Sequence, residues 1–459
     1  MQFDIVIVGA GPAGLAAAAT AAEAGLKVAL IDDQARVGGQ YYRHAPVTPK
    51  AYFFAPKFGK AKQVSTYEDI FARLNVVVFS ESSIIDVTRD KQVKFVSNGK
   101  LGILAANAIV VATGARERIL PFPGWTTPGV MGAGAAHNLM KSSGVAPGKR
   151  VLVSGGGPLS LLVACNLVRS GVEVVGVCAA SRNSLSFKST LKLLLRLDIL
   201  LRGLGYLALL HAFRVPILRD HKIRNVIGIE QVEGAEIVPS NNKRQDARRI
   251  SADVIIVNDG LLPNIEILSR LGCEFLWSDH ARCLLPVRDA TFQTSVPGIY
   301  AVGDCANVSG FENATLEGKI VALSLATVKD KALSSFRRTQ RQLGQLRGSW
   351  DKLQRFRESI QALFNPSMLD VDGLPPSTIV CRCEDVSVGA LNNLLREGVI
   401  ELSALKSETR IGMGRCQGRN CSNTIVELVV DFTSKKPSEI AFPTVRLPLK
   451  PVRVADLLD

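Results

Sequence analysis

The chain opens on a short, mostly apolar run, Phe3–Val8, long enough for a strand of a buried parallel sheet and too short for a helix. Gly9-Ala10-Gly11-Pro12-Ala13-Gly14 follows, then an Ala-rich helix ending near Gly25 and a second apolar strand, Lys27–Ile31, that finishes in Asp32-Asp33. The pattern returns further on. Lys149–Ser154 is another apolar strand, followed by Gly155-Gly156-Gly157-Pro158-Leu159-Ser160, the helix Leu161–Ser170 and the strand Glu173–Cys178. The uncharged runs Ile5–Ala22 and Val151–Val168 reach the minimum length of a membrane span. Each has a Gly-rich turn near its start, so both read as strand–turn–helix. Two more β runs, Leu101–Val111 and Val296–Asp304, stop at a small residue or an acid, where backbone passes close to a ligand.

The first unit carries the dinucleotide fingerprint in its required context. Gly9 makes the tight turn, Gly11 admits a pyrophosphate, and Gly14 lets helix and strand pack closely, while the helix N-terminus offers N–H groups to phosphate. Asp32, with Asp33 as the second choice, stands where an acid accepts from ribose hydroxyls. The second unit is degenerate. Ser160 replaces the third glycine, and Cys178 holds the position, 23 residues after Gly155, that Asp32 holds after Gly9. A repeated fold is expected there. Gly155 and Gly157 keep the loop, but only Arg182 is close enough in sequence to suggest a phosphate partner, so a working nicotinamide site is not expected.

At 459 residues the chain is too long for one core and calls for two or three domains. Its formal charge of +14 is concentrated. Arg182–Arg224 carries nine basic against two acidic residues, and Lys331–Glu358 carries eight against two. Neither stretch interleaves stacking aromatics, so nucleic acid is not an expected partner. Basic surfaces docking an acidic partner subunit, or at most a peripheral membrane contact, fit better. The apolar and basic segment Leu185–Val215 reads either as an amphipathic helical pair at such a surface or as a cap on its own domain. Met-Gln-Phe-Asp at the start lacks a basic leader, which points to a reducing, cytoplasmic setting, or one peripheral to the inner membrane.

The nine cysteines divide into two groups. Cys165, Cys178, Cys273, Cys283 and Cys305 have no redox spacing and read as small core or loop residues. Beyond the basic, helix-compatible stretch Lys331–Gln361 and the break Leu374-Pro375-Pro376, four more follow in a C-x-C…C-x4-C layout: Cys381, Cys383, Cys416 and Cys421. They lie around helical stretches at Ser387–Glu397 and Leu402–Arg410. Gly412, Gly414 and Gly418 leave room for a bulky inorganic centre. A [2Fe–2S] cluster takes four thiolates. Structural zinc remains an alternative, although it prefers wider pairs; a disulfide is disfavoured by compartment. The histidines His44, His137, His211, His221 and His280 are scattered, and no catalytic residue is nominated.

Gly9–Gly14, Ala112–Gly114 and Tyr300–Asp304, in that order, resemble the three marks of the flavoproteins with two dinucleotide-binding, Rossmann-like domains. The resemblance implies FAD, held by Gly9, Gly11, Pro12, Ala13, Gly14, Asp32, Asp33, Gly39, Gln40, Thr113, Gly114, Gly303 and Asp304. The disulfide reductases of that fold need a CxxxxC or CxxC pair, and no cysteine precedes Cys165, so disulfide exchange is excluded. Cys381–Cys421 resembles the bacterioferritin-associated ferredoxin domain, with C-x4-C where that domain has C-x2-C.

The full arrangement is similar to the alpha subunits of heteromeric amino-acid dehydrogenases, the group of opine oxidases, D-hydroxyproline and archaeal L-proline dehydrogenases and hydrogen cyanide synthase. That resemblance implies an FAD-binding domain at 1–120 and 285–330, and a degenerate second domain at 121–284 with a basic insertion at 183–224. A linker at 331–375, a helical [2Fe–2S] domain at 376–435 and a tail at 436–459 complete the expected order. It further implies a beta subunit of amino-acid-oxidase type that binds the amine, a small gamma subunit in some members, an FMN at an interface between subunits, and an electron acceptor in the respiratory chain. Whether the second domain holds a second adenine nucleotide stays open. The contrasting reading is a stand-alone NAD(P)H-dependent reductase with a fused ferredoxin domain.

Overall fold

A computed structural model describes residues 1–43, 61–179, 197–240, 247–329, 333–363 and 368–457. His44, Arg182 and the segment 185–196 of the apolar–basic stretch lie outside the described residues.

The first domain is built on a seven-stranded sheet. Val77–Phe79, Val28–Ile31, Gln2–Val8 and Lys100–Val111 run parallel in that order, with Ile299–Ala301 parallel to the end of Lys100–Val111; Gln92–Ser97 and Ser82–Val87 extend it antiparallel. Register decides what the sheet can do. Val8 pairs with Ile31 and with Val111, and Val111 pairs with Ala301. Gly9, Asp32, Ala112 and Val302 therefore leave one carboxyl edge side by side, the place where open α/β sheets bind ligands. The helix Pro12–Glu23 covers one face, and its run of small alanines lets the helix Phe311–Lys329 pack closely against it.

The second domain repeats the plan with five strands: Ile217–Arg219, Glu173–Ala179, Arg150–Ser154, Val254–Val257 and Val130–Gly132, all parallel. An antiparallel meander of His221–Ile227, Gly234–Pro239 and Arg248–Ser251 closes over it. Much of the expected basic insertion is integral to this plan. The helix Leu197–Ala212 crosses from Glu173–Ala179 to the edge strand Ile217–Arg219, burying Leu210 in the domain core while Leu201 and Leu204 stay exposed.

The anticipated boundary at 284/285 falls inside a hairpin, Phe275–Ser278 with Cys283–Pro286. Ile267, Leu268 and Leu271 already belong to the first domain's core. The stretch read as a connector is, over Leu333–Leu363, one helix laid on the first domain. Leu343 and Phe356 are buried, Trp350 Nε1 donates to Glu317 at 3.2 Å, and Arg357 donates to Asn307 Oδ1 at 2.6 Å and to the Val308 carbonyl.

The third unit packs Val388–Arg396, Leu402–Thr409 and Ser422–Thr433 around its own apolar core. Ser387 caps the first of these helices through the Ala390 N–H, as its residue type favours, and Arg410, in the left-handed region, ends the second. Glu427, almost fully buried, fastens this unit to the rest, lying 2.5 Å from Arg118 and 3.3 Å from Arg282. The tail returns to the first domain: Leu449 N donates to the Ile85 carbonyl, and Lys450 pairs with Asp33.

Two stability predictions follow from buried groups. Glu427→Ala strands two guanidiniums beside the interface and is expected to cost about 3–5 kcal/mol in chemical denaturation; an unchanged midpoint would show the unit held by other means. His137, 3.2 Å from Asn166, is pushed down by burial, and further by Lys141, to about 4. Its folded pKa lies below the unfolded 6.5, so the unfolded chain binds the extra proton and stability drains away as pH falls from 6.5 toward 4. Over that window wild type is expected to lose about 3 kcal/mol more than His137→Gln, read from denaturation midpoints at the two ends.

Candidate functional site

The turn at the end of the first strand is shaped by contact. A Cβ on Gly14 would stand 1.8 Å from the Gly9 carbonyl oxygen, so only glycine allows the Pro12–Glu23 helix to start there. A Cβ on Gly11 would meet nothing within 4 Å, which leaves that side of the loop open. Gly11 is the N-cap and has no side chain to fill the helix terminus, so the N–H groups of the first turn are left for an anion. The loop after the second strand comes back over this turn, with Gly39 lying against Gly11 and Gly38 N bonded to the Ala10 carbonyl.

Of the two candidate acids, Asp32 faces the turn. It is buried, accepting from Ala10 N at 2.5 Å and Gln34 N at 2.8 Å, and burial raises its pKa against the opposing effect of those N–H groups. Asp33 is exposed and points to Lys450, which outweighs partial burial and holds its pKa low. Thr113 and Gly114 adjoin the turn. Thr113 Oγ1 donates to the Asn264 carbonyl at 3.0 Å, and Asn264 Nδ2 returns a bond to the Thr113 carbonyl at 2.9 Å. Gly303 packs against Ala13, and its N–H donates to Glu317 at 2.8 Å. Asp304 Oδ1 accepts from Ser309 N at 2.8 Å and Gly310 N at 3.2 Å; burial pushes its pKa up. Gln40 is exposed, and its carbonyl lies 3.5 Å from Lys141 Nζ. Gly9, Gly11, Pro12, Ala13, Gly14, Asp32, Gly39, Thr113, Gly114, Gly303 and Asp304 thus gather along one sheet edge, and together they could hold a dinucleotide.

Gly155 and Gly157 lie elsewhere, on the second domain. Ser160, in the third glycine's place, is fully buried and accepts from Asn258 Nδ2 at 2.9 Å. Cys178 sits in the core, where burial pushes its thiol up to about 12, so no acid is present to take a ribose. A cleft of ≈ 250 Å³ opens beside this loop, lined by Gly157, Leu159, Asn258, His280, Arg118 and Arg357. The cysteines read as core residues, Cys165, Cys178, Cys273, Cys283 and Cys305, are all buried.

The four C-terminal thiols converge in pairs. Cys381 hydrogen-bonds Cys421, and Cys383 hydrogen-bonds Cys416. Besides Cys421, the backbone N–H groups of Gly412, Glu384 and Cys383 point at the Cys381 sulfur and hold its thiol well below the ordinary range. Four neighbouring thiols offer the thiolate set that a [2Fe–2S] centre takes. Gly414 is required by this crowding, since a Cβ there would lie 2.3 Å from that of Cys383.

Known proteins bear out this pairing of modules. Residues 3–319 match the family model "Pyridine nucleotide-disulphide oxidoreductase", and residues 379–430 match the "BFD-like [2Fe-2S] binding domain". The A subunit of opine oxidase from Agrobacterium tumefaciens (strain Ach5) is 32% identical over 99% of this chain and 91% of its own. The chain belongs to the family of opine oxidase A subunits. The HcnB subunit of hydrogen cyanide synthase from Pseudomonas protegens, 32% identical over 98% of this chain and 97% of its own, is a further relative of the same type. The L-proline dehydrogenase of P. horikoshii shares the fold, with a TM-score of 0.72 at 23% identity over 100% of this chain and 80% of that one. As a member of this family the protein is an FAD-dependent oxidoreductase with a [2Fe–2S]-type domain. No helix among its described residues is long and apolar enough to cross a membrane.

Sequence motifs missed Asn264 as a partner of Thr113, Glu317 as the acceptor of Gly303, and Arg357 at the Asn307 loop. Nothing local in the sequence marks Asn264, Glu317 or Arg357 for these contacts. The open side of Gly11 yields a separable prediction. Gly11→Ala is expected to keep wild-type circular dichroism and melting without flavin, yet to bind FAD about tenfold or more weakly, because its methyl enters the phosphate space. Full flavin content on denaturation would place the pyrophosphate elsewhere.

Proposed function

We propose that this chain is the alpha subunit of a heteromeric dehydrogenase that oxidises the C–N bond of an amino acid or an opine-like secondary amine, of the opine, proline or hydroxyproline type. A beta subunit of amino-acid-oxidase type binds the amine, and this chain carries the electrons onward to a respiratory acceptor. The names of its relatives, each one component of an assembly, support that division of labour.

FAD, when bound, accepts a hydride equivalent and can release electrons singly, and a [2Fe–2S] centre takes them one at a time. The chain's own residues provide the seats. Gly9 and Gly11 would bring backbone to the pyrophosphate, Gly14 lets the helix start against the turn, and Asp32, whose oxygens keep lone pairs beyond the Ala10 and Gln34 bonds, would accept from the ribose. Thr113, Gly303 and Asp304 line the remaining edge. Cys381, Cys383, Cys416 and Cys421 supply the thiolates, with Gly412 and Glu384 N–H groups aimed at one of the sulfurs.

The observation that carries this reading is the direct join between the two seats. Arg116, two residues after Gly114, donates to the carbonyl of Arg419, which lies between Cys416 and Cys421. A ferredoxin-like unit packed against the flavin side needs no mobile carrier between them. The stand-alone NAD(P)H reductase reading is opposed by the second domain, where Cys178 replaces the ribose acid and Ser160 is committed to Asn258.

Two measurements test the proposal. Anaerobic NADH or NADPH added to the purified chain is expected to leave the flavin absorbance unchanged; rapid bleaching would favour the reductase reading. Co-expressed with a partner of amino-acid-oxidase type, the chain is expected to reduce a dye with an opine, proline or hydroxyproline as donor. Failure with every secondary amine and amino acid tried would overturn the substrate class.

A further inference from the structure

Three charged side chains, none of them a proposed cofactor ligand, meet where the cluster loop touches the flavin-side strand. Arg116 lies on Ala115–Glu117, the strand that leaves Thr113-Gly114 and pairs with Leu261–Pro263. Its Nη1 is 2.9 Å from Glu266 Oε1 and donates to the Pro263 carbonyl at 2.8 Å, while its Nε donates to the Arg419 carbonyl at 2.9 Å. Arg419 in turn donates from Nη1 to the Cys416 carbonyl at 3.2 Å and to Gln417 Oε1 at 2.8 Å. Its Nε stands 3.6 Å from the same Glu266 oxygen.

One carboxylate therefore sits between two guanidiniums, and all three side chains are 17–22% exposed. Through the Arg419 and Cys416 carbonyls the two guanidiniums lie against the backbone of the cluster loop. At such exposure the interactions are only partly screened by solvent and salt. Reduction of a [2Fe–2S] centre adds one electron and one unit of negative charge, so nearby cations favour the reduced form and nearby anions oppose it.

We propose that Arg116, Glu266 and Arg419 form a charge triad that sets the reduction potential of the cluster, the guanidiniums raising it and the Glu266 carboxylate holding it down. The inference rests on the assignment of Cys381, Cys383, Cys416 and Cys421 as cluster ligands. It makes Arg116 a tuning residue as well as a strut: its position beside the flavin-side segment and its charge beside the cluster loop come from the same side chain. Because Glu266 partly neutralises both arginines, the net local charge is close to that of one cation, and removing either sign moves it by a whole unit.

Opposite signs make the proposal testable. The full chain, purified with its cluster, is titrated potentiometrically and the reduced centre is read by electron paramagnetic resonance. Arg116→Met is expected to shift the midpoint to lower potential, Glu266→Gln to higher potential, and Arg116→Lys, which keeps the charge, to stay near wild type. A purely structural role would not give shifts of opposite direction. Should Arg116→Met lose its iron, Glu266→Gln decides: a raised midpoint supports the triad, and an unchanged or lowered one overturns it. Unmoved potentials in all three variants, with wild-type iron content, overturn the triad and leave the cluster assignment intact. A wild-type chain without any [2Fe–2S] signal overturns that assignment and the triad with it.

Discussion

A carboxylate buried between two guanidiniums, Glu427 with Arg118 and Arg282, determines where the thiol-bearing unit stands. Taking Glu427 and Arg118 out of water is costly, and an uncompensated charge more so, so the unit cannot slide or lift without exposing or stranding them. Seated in this way, the loop Cys416–Cys421 meets Arg116 at the flavin side, and the tail can run back from Gln417 and Arg419 to Leu449 and Ile85. The buried Glu427 contacts thus fasten the thiol-bearing unit, with its own core, to the rest of the chain.

The second constraint is register. Because Val8, Ile31, Val111 and Ala301 end in line, a turn, an acid, a Thr-Gly pair and a Gly-Asp pair spread over three hundred residues of sequence meet along one edge. The same edge in the second domain carries different side chains. Ser160 fills the third glycine's place with a hydroxyl that takes an Asn258 hydrogen bond, and Cys178 gives the core a small apolar group where the first domain has Asp32. The first fold repeat keeps the glycines and the acid of a dinucleotide site, and the second keeps the fold and the Gly-rich turn without the acid.

Much of this was legible in the chain. Strand, Gly-rich turn, helix and acid follow local rules of period and sterics, so both βαβ units and the ordering of the cysteines could be read directly. The boundaries were less legible. The basic stretch at 331–375 reads as a surface connector because its charges dominate its composition. Its burial depends on Leu343 and Trp350 packing into the first domain's core, which no local pattern reports. Glu317, Glu427 and Arg116 are equally silent in sequence. Each is an ordinary charged residue whose partner lies from fourteen to more than three hundred positions away. Asp32 and Asp33 could be ranked only by seeing that one accepts from Ala10 and the other faces Lys450.

The central claim is that flavin and cluster occupy one chain close enough to exchange electrons without a carrier. Photoreduction of the flavin in the isolated, anaerobic chain, followed by freezing and electron paramagnetic resonance, tests it most directly. The account predicts that a reduced [2Fe–2S] signal grows at dilutions that exclude encounters between molecules. A flavin that bleaches fully while the cluster stays oxidised, despite a cluster potential high enough to accept, would contradict it.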